Sequence, residues 1–157
     1  MAKVFLYDTA STTVDTLRVM RRKGYVCTAL TNDPAFFWQT ISAIDNKSIF
    51  VLLSHGDKAG PLAVEGNVGD DIDLERFSKI ILEKELTLYL LSCHTGLDPC
   101  GSTLLRNKLN FVAAKGTAVF QTVGDEVITV LSKDDDTFPG WAGPLSPNRP
   151  NKALYLP

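Results

Sequence analysis

Runs of apolar residues alternate along this chain with amphipathic stretches, and helix caps and turn residues mark most of the boundaries. Residues 3–8 (KVFLYD) predict a first strand. A helix is expected from about Thr12, where Thr12 and Asp15 read as a capping box, and Gly24 ends it. Residues 25–30 predict a second strand. Asp33-Pro34 then pairs an N-cap with a first-turn proline and opens a helix that carries Phe36, Phe37, Ile41 and Ile44. Residues 48–56 (SIFVLLSHG) hold an unbroken apolar run, the pattern of a strand buried on both faces of a parallel sheet. A Gly-rich loop or small hairpin is expected over 57–70, followed by Leu74, Phe77 and Ile81 at helical spacing up to Glu85. Residues 86–93 (LTLYLLSC) form a second doubly buried strand. Asp98-Pro99 is expected to start a helix with Leu104, Leu105, Leu109 and Val112 on its inner side and Gly116 as its end. Residues 117–123 and 126–131 predict a fifth and a sixth strand, turned at Gly124-Asp125.

The order β-α-β-α-β-α-β-α-β-β predicts an α/β fold, a three-layer sandwich with a mostly parallel central sheet and helices on both faces. Residues 1–132 are expected to form the folded domain. Residues 133–157, with Asp134-Asp135-Asp136, Trp141 and several prolines, read as a coil packed on it, anchored by Trp141.

Composition narrows the picture without changing it. A chain of 157 residues with 45% hydrophobic and 22% charged residues is long enough to bury a core without staples. The net charge of −2, from 18 acidic and 16 basic residues with no like-charge block, predicts neither a nucleic-acid nor a membrane partner. The opening residues lack the pattern of a signal peptide, and no apolar stretch approaches the ~18 residues needed to span a bilayer. Three cysteines, an odd number, predict free thiols and a reducing compartment. Cytoplasmic synthesis is therefore expected, and it is compatible with signal-less delivery elsewhere.

In an open parallel sheet the ligand site lies beyond the carboxyl ends of the strands. Two expected strands end there in Ser54-His55-Gly56 and Ser92-Cys93-His94. A thiol attacks as its thiolate, and a nearby imidazole can take its proton and later return it to a leaving amine. Glycines beside the two residues, Gly56 and Gly96, allow close approach of a substrate backbone and free amide N–H groups to face an oxyanion. Acyl transfer is the reaction that uses this set.

An apolar strand ending Ser-His-Gly, followed by one ending Ser-Cys, resembles the caspase-like cysteine peptidases, over roughly residues 45–131. The resemblance implies His55 as catalytic histidine, Cys93 as nucleophile, and the backbone N–H groups of Gly56 and Cys93 as oxyanion hole. It implies a peptide or protein substrate, with no cofactor and no metal. The stretch 62–68 (LAVEGNV) is similar to a hairpin that many bacterial relatives carry after the histidine. Caspases proper carry a Gln-Ala-Cys-Arg-Gly type of signature where this chain reads Leu91-Ser92-Cys93-His94-Thr95, so aspartate specificity is not implied. His55 and Cys93 stand 38 positions apart, against roughly 50 in caspases.

His94 follows the nucleophile directly and is expected to point away from it. Cys100, in the first turn after Asp98-Pro99, would have its pKa lowered by the helix dipole and is the rival nucleophile. Cys27 is expected to be a core thiol of the second strand. His55, Cys93, His94 and Cys100 offer four zinc-type ligands but lack a paired C-x₂-C or H-x₃-H element. Asp125 suits a Gly-Asp turn better than the acid of a basic-residue pocket. Asp134 to Asp136 read as solvated, and Phe36-Phe37-Trp38 as helix packing. A caspase-like domain without turnover, acting as an interaction module, is the alternative function. A flavodoxin-like ligand domain lacks the Gly-rich phosphate loop it would need after the first strand.

Overall fold

A computed structural model describes residues 2–67, 69, 72–124, 126–131, 140–147 and 153–157. The elements are β1 (Lys3–Tyr7), a 3-10 turn (Thr9–Ser11), α1 (Val14–Arg22), β2 (Val26–Ala29), α2 (Pro34–Ser42) and β3 (Ile49–Leu53). There follow β4 (Gly56–Asp57), β5 (Gly60–Pro61), α3 (Leu74–Glu83), β6 (Thr87–Leu90), α4 (Cys100–Arg106) and β7 (Asn110–Ala114). The chain closes with β8 (Ala118–Val123), β9 (Glu126–Leu131), β10 (Trp141–Ala142) and β11 (Leu154–Tyr155). The fold is α/β with a mostly parallel central sheet between two covering layers.

That sheet has six strands in the order β10-β7-β6-β3-β1-β2, parallel throughout except for β10. The chain moves outward from β1 to β2, then crosses back over β1 to β3 and continues in the opposite direction. Right-handed crossovers put the helices of opposite directions on opposite faces. Phe37 and Ile41 of α2, Phe77 and Ile81 of α3 and Leu104 of α4 accordingly pack with Leu6, Phe50, Leu52, Leu88, Leu90 and Phe111 in one core cluster. Val19 and Met20 of α1 pack with Phe5, Val51 and Val112 in the other.

One helix cannot cover a six-stranded face, and a second sheet completes it. Strands β8 and β9 form an antiparallel hairpin extended by β11. Phe120 stacks on Phe5 with ring centroids 6.0 Å apart, Thr122 shares a 3.1 Å hydroxyl contact with Thr16 of α1, and Leu154 and Leu156 are buried in the same cluster. The fifth and sixth strands read from the sequence therefore exist but belong to this covering layer and not to the central sheet. Trp141–Ala142, expected as coil, pairs antiparallel with Ala113–Ala114 and forms the sheet edge. The expected boundary at 132/133, Asp125 and Asp134 to Asp136 lie outside the described residues.

The N-terminal caps are Thr13, whose hydroxyl accepts from the Thr16 N–H at 3.1 Å, Asp33 on α2 and Asp73 on α3. The first of these lies one residue beyond the expected Thr12. Three helices end in the same two-bond motif. Tyr25 N–H donates to the Met20 carbonyl and Gly24 N–H to Arg21; Leu86 donates to Ile81 and Glu85 to Leu82; Leu109 donates to Leu104 and Lys108 to Leu105. These are Schellman caps, in which the residue after the C-cap takes positive φ and the next buries an apolar side chain. Gly24 fills the positive-φ position after α1, but Glu85 (φ 52°) and Lys108 (φ 60°) fill it after α3 and α4.

The last cap corrects the largest misreading. The helix expected to run from Asp98 to Gly116 stops at Arg106, and residues 110–114 are a central strand, with Val112 in β7. No glycine or proline announces the turn at Asn107-Lys108. Lys108→Gly should raise stability by about 1 kcal/mol, because the left-handed conformation strains a side chain bearing Cβ by that order. Within a continuous helix the same change would lower stability by about 1 kcal/mol. Urea denaturation of the two proteins reads the sign, and a loss would restore the single-helix reading.

Candidate active site

The order β2-β1-β3-β6 reverses chain direction between β1 and β3, so the crevice at the carboxyl edge opens there. Asp8 follows β1, His55 follows β3, and Cys93 follows β6. Strands β3 and β6 pair in parallel with Ile49 opposite Thr87, Phe50 opposite Leu88, Val51 opposite Tyr89 and Leu52 opposite Leu90. That register offset is 38 residues, the same as the separation of His55 and Cys93. The two residues therefore occupy equivalent positions on neighbouring strands, three residues past the last paired rung.

The backbone ladder ends with the Leu91 N–H donating to the Leu52 carbonyl at 2.9 Å. Side chains carry the connection one step further. The Ser92 hydroxyl lies 3.0 Å from the Ser54 hydroxyl and accepts from the Ser54 N–H at 3.3 Å, and both serines are buried. Ser54 Oγ donates to the His55 carbonyl at 3.2 Å, and Thr95 Oγ1 donates to the Ser92 carbonyl at 2.7 Å.

His55 is partly open, its side chain 37% exposed, and its Nε2 stands 4.0 Å from Oδ2 of Asp8. Asp8 is fully buried. Its Oδ1 accepts from the Ala10 N–H at 2.9 Å and its Oδ2 from the Gly66 N–H at 2.6 Å. At 4.0 Å the carboxylate acts on the ring by charge and not by a hydrogen bond. In the sequence Asp8 is only the last residue of the first expected strand, although the strand-end rule applied to β1 names it.

The two expected oxyanion donors differ in what holds them. Leu62 N–H donates to the His55 carbonyl at 2.7 Å, and Gly56 is the next position, opposite Pro61. Bonded and non-bonded positions alternate in an antiparallel pair, so the Gly56 N–H faces away from β5. Gly56 is also where no side chain fits, since a Cβ would lie 2.9 Å from Ser92 Cβ and 3.0 Å from Thr95 Cγ2. The Cys93 N–H has no hydrogen-bond partner among the described residues.

Gly96 departs from expectation. Its N–H donates to the Ala114 carbonyl at 2.8 Å, and a Cβ there would lie 2.8 Å from the Ala113 carbonyl oxygen. It is a glycine for packing against β7, and it offers no free donor. His94, at φ 61°, donates its N–H to the Gly116 carbonyl at 3.0 Å, with Nδ1 3.2 Å from the Lys115 carbonyl. Its role is to fasten the turn after Cys93 to the end of β7. Among the described residues no three His, Cys, Asp or Glu side chains converge as a metal site.

No family model and no curated protein matches the chain. Among solved structures it is similar to the crystal structure of an aromatic amino acid aminotransferase from Burkholderia cenocepacia J2315, at 18% identity and a TM-score of 0.45. The match covers 71% of this chain and 30% of that one, so the chain spans under a third of that enzyme's length. A likeness at this level carries no argument about chemistry. No helix among the described residues is long and apolar enough to cross a membrane.

Cys100 overturns its own expectation. It is fully buried at the first position of a seven-residue helix, and its N–H donates to the Lys58 carbonyl at 2.9 Å. Burial, reinforced by the Asp57 carboxylate, pushes its thiol from the ordinary 9.0 up to about 12, against the lowering expected from a helix N-terminus. Half-buried Cys27 is pushed up by burial as well, with Arg21 opposing. A raised folded-state pKa favours the protonated native form, so its stabilising effect is complete below pH 9 and is lost as pH climbs toward 12. Wild-type protein should lose about 1 kcal/mol more than Cys100→Ala between pH 8 and pH 10. Urea midpoints across that range test this, and parallel slopes for the two proteins would refute the buried-thiol assignment.

Proposed function

We propose that the protein is a cysteine peptidase that cleaves peptide bonds through a thioester on Cys93, with His55 as general acid and base. One observation carries the reading: the 38-residue separation of His55 and Cys93 equals the β3–β6 register offset, so the candidate base and the candidate nucleophile each follow the last paired rung of two neighbouring strands by three residues. The open Cys93 N–H and the outward Gly56 N–H support it, as does the buried Asp8 carboxylate behind the imidazole. The caspase-like resemblance of the two strand ends agrees with the same roles.

In this mechanism the Cys93 thiolate adds to the carbonyl carbon of the scissile bond, and its thiol proton passes to His55. Negative charge develops on the carbonyl oxygen between the Gly56 and Cys93 N–H groups, which are fixed in place before the charge appears. The carbon–nitrogen bond then breaks while His55 gives its proton to the leaving amine. Water adds to the thioester as His55 takes a proton from it, and the thiolate departs from the second tetrahedral adduct.

Incubation with a mixed-sequence peptide library, read by mass spectrometry for new termini, tests the activity. Cys93→Ala should leave no cleavage with the fold intact. His55→Ala should slow cleavage by at least ~100-fold, the usual scale for removing a general acid–base group. Cys100→Ala and His94→Ala should retain most of it. Unchanged cleavage by folded Cys93→Ala would dismiss the assignment, and so would an inert wild-type protein.

A further inference from the structure

We infer that the Ser54–Ser92 pair is a positioning device, a side-chain rung that holds His55 and Cys93 at their spacing where the backbone ladder has ended. The inference rests on the peptidase reading for its purpose and on the hydrogen-bond inventory for its substance. Past the Leu91-to-Leu52 bond no backbone hydrogen bond joins the two strand ends among the described residues. One register step beyond Leu53 and Leu91 both chains carry a serine, 4% exposed at Ser54 and 0% at Ser92. The residue after each is one of the proposed catalytic pair.

Donor accounting gives the pair a direction. Ser54 Oγ spends its proton on the His55 carbonyl, so the proton between the two hydroxyls belongs to Ser92. Ser92 Oγ in turn accepts the Ser54 N–H. The Ser92 hydroxyl thus replaces the partner that the next ladder carbonyl would have supplied, and adds a second bond that the ladder lacks. On its far side the Ser92 carbonyl is held by Thr95, whose side chain is fully buried. The chain Thr95–Ser92–Ser54–His55 therefore ties the turn carrying the nucleophile to the backbone of the base.

The surroundings admit little besides serine at position 92. Alanine leaves the Ser54 N–H buried and unpaired, a state that structures avoid by moving apart or admitting water. The hairpin lies close on the other side, since a Cβ on Gly56 would stand only 2.9 Å from Ser92 Cβ, and this leaves little room for a longer side chain. Residue 92 is thus fixed by the need for a short hydroxyl, independently of any contact with substrate. Both serines are positioning residues; neither needs to touch the reacting atoms.

The test uses a readout that does not require turnover. In His55→Cys protein, mild oxidation with diamide should form a disulfide between the introduced thiol and Cys93, detected by peptide mapping. Adding Ser92→Ala should slow that closure at least ~10-fold in protein that urea denaturation shows to be folded. Adding Ser54→Ala, which keeps the Ser54 N–H bond to Ser92, should slow it less, and this variant stands in if Ser92→Ala does not fold. In the chain with His55 intact, Ser92→Ala should lower kcat on a library-derived peptide by ~10- to 100-fold with little change in KM. Equal closure rates with and without the two serines would overturn the inference, whatever the protein's activity. The expected differences in closure rate, together with a wild-type chain that cleaves nothing, would instead count against the peptidase reading alone.

Discussion

The register of β3 against β6 is the constraint on which the rest of the molecule depends. Four parallel rungs align Ile49–Leu52 with Thr87–Leu90 in strands whose residues are largely buried. A one-residue slip would reverse the face of every side chain on one strand, exchanging Phe50 and Leu52 with Val51 and Leu53 between two separate cores. Hydrophobic burial therefore fixes the register, at roughly 1.5–3 kcal/mol for each large side chain that would be misplaced. What the register fixes in turn lies past its last rung: Ser54 beside Ser92, with His55 and Cys93 as the residues that follow them. The site geometry is inherited from packing several residues away.

Topology supplies the second constraint. Because the chain reverses direction after β2, only α1 covers one face while α2, α3 and α4 share the other. The uneven division has two consequences at opposite ends of the structure. The reversal falls between β1, which Asp8 follows, and β3, which His55 follows, and the remainder of the α1 face is closed by the β8–β9–β11 sheet through Phe120, Leu154 and Leu156. The residues that end the chain are part of this second layer: Lys23 Nζ donates to the Leu156 carbonyl at 3.3 Å and Tyr25 OH to the Pro157 carbonyl at 2.9 Å. Lys23 also reaches Glu126, so one side chain at the end of α1 serves both the hairpin and the final strand.

What was legible in the sequence follows from which physical signals are local. The doubly apolar runs at 48–56 and 86–93 announced β3 and β6, and Gly24 and Asp33-Pro34 announced the end of α1 and the start of α2. Strand β7 was hidden because Leu104, Leu105, Leu109 and Val112 satisfy a helical period by accident, while the turn that separates them rests on a lysine at positive φ. Glu85 uses the same unusual conformation, yet β6 was found because its own apolar run is unmistakable. Trp141–Ala142 is two residues long and draws its strand identity wholly from Ala113 and Ala114, partners that no local pattern names. Gly96 was assigned to the substrate for want of the β7 backbone that in fact crowds it. The strand-end rule names His55, Cys93 and Gly56 as candidates and, applied to β1, names Asp8 as well, whereas the Ser54–Ser92 bond depends on which strands are neighbours.

Asp8 shows how a buried charge can be held near an imidazole without being bonded to it. A carboxylate with no exposed surface is costly unless paired or hydrogen-bonded, and two backbone N–H groups meet that need. One comes from Ala10, inside the turn that follows β1. The other comes from Gly66, 58 residues on, at φ 83° in the loop after the β4–β5 hairpin. Glu65, beside it, is fastened to the same region, with its N–H on the Thr31 carbonyl and its carboxylate accepting from the Thr9 hydroxyl at 2.7 Å. The carboxylate thus satisfies its lone pairs from the backbone and leaves the 4.0 Å gap to His55 free of any obligatory bond. The loop at Gly66 and the ring of His55 face the same Oδ2 of Asp8, so the position of the loop after the hairpin is tied to that of the strand end carrying His55.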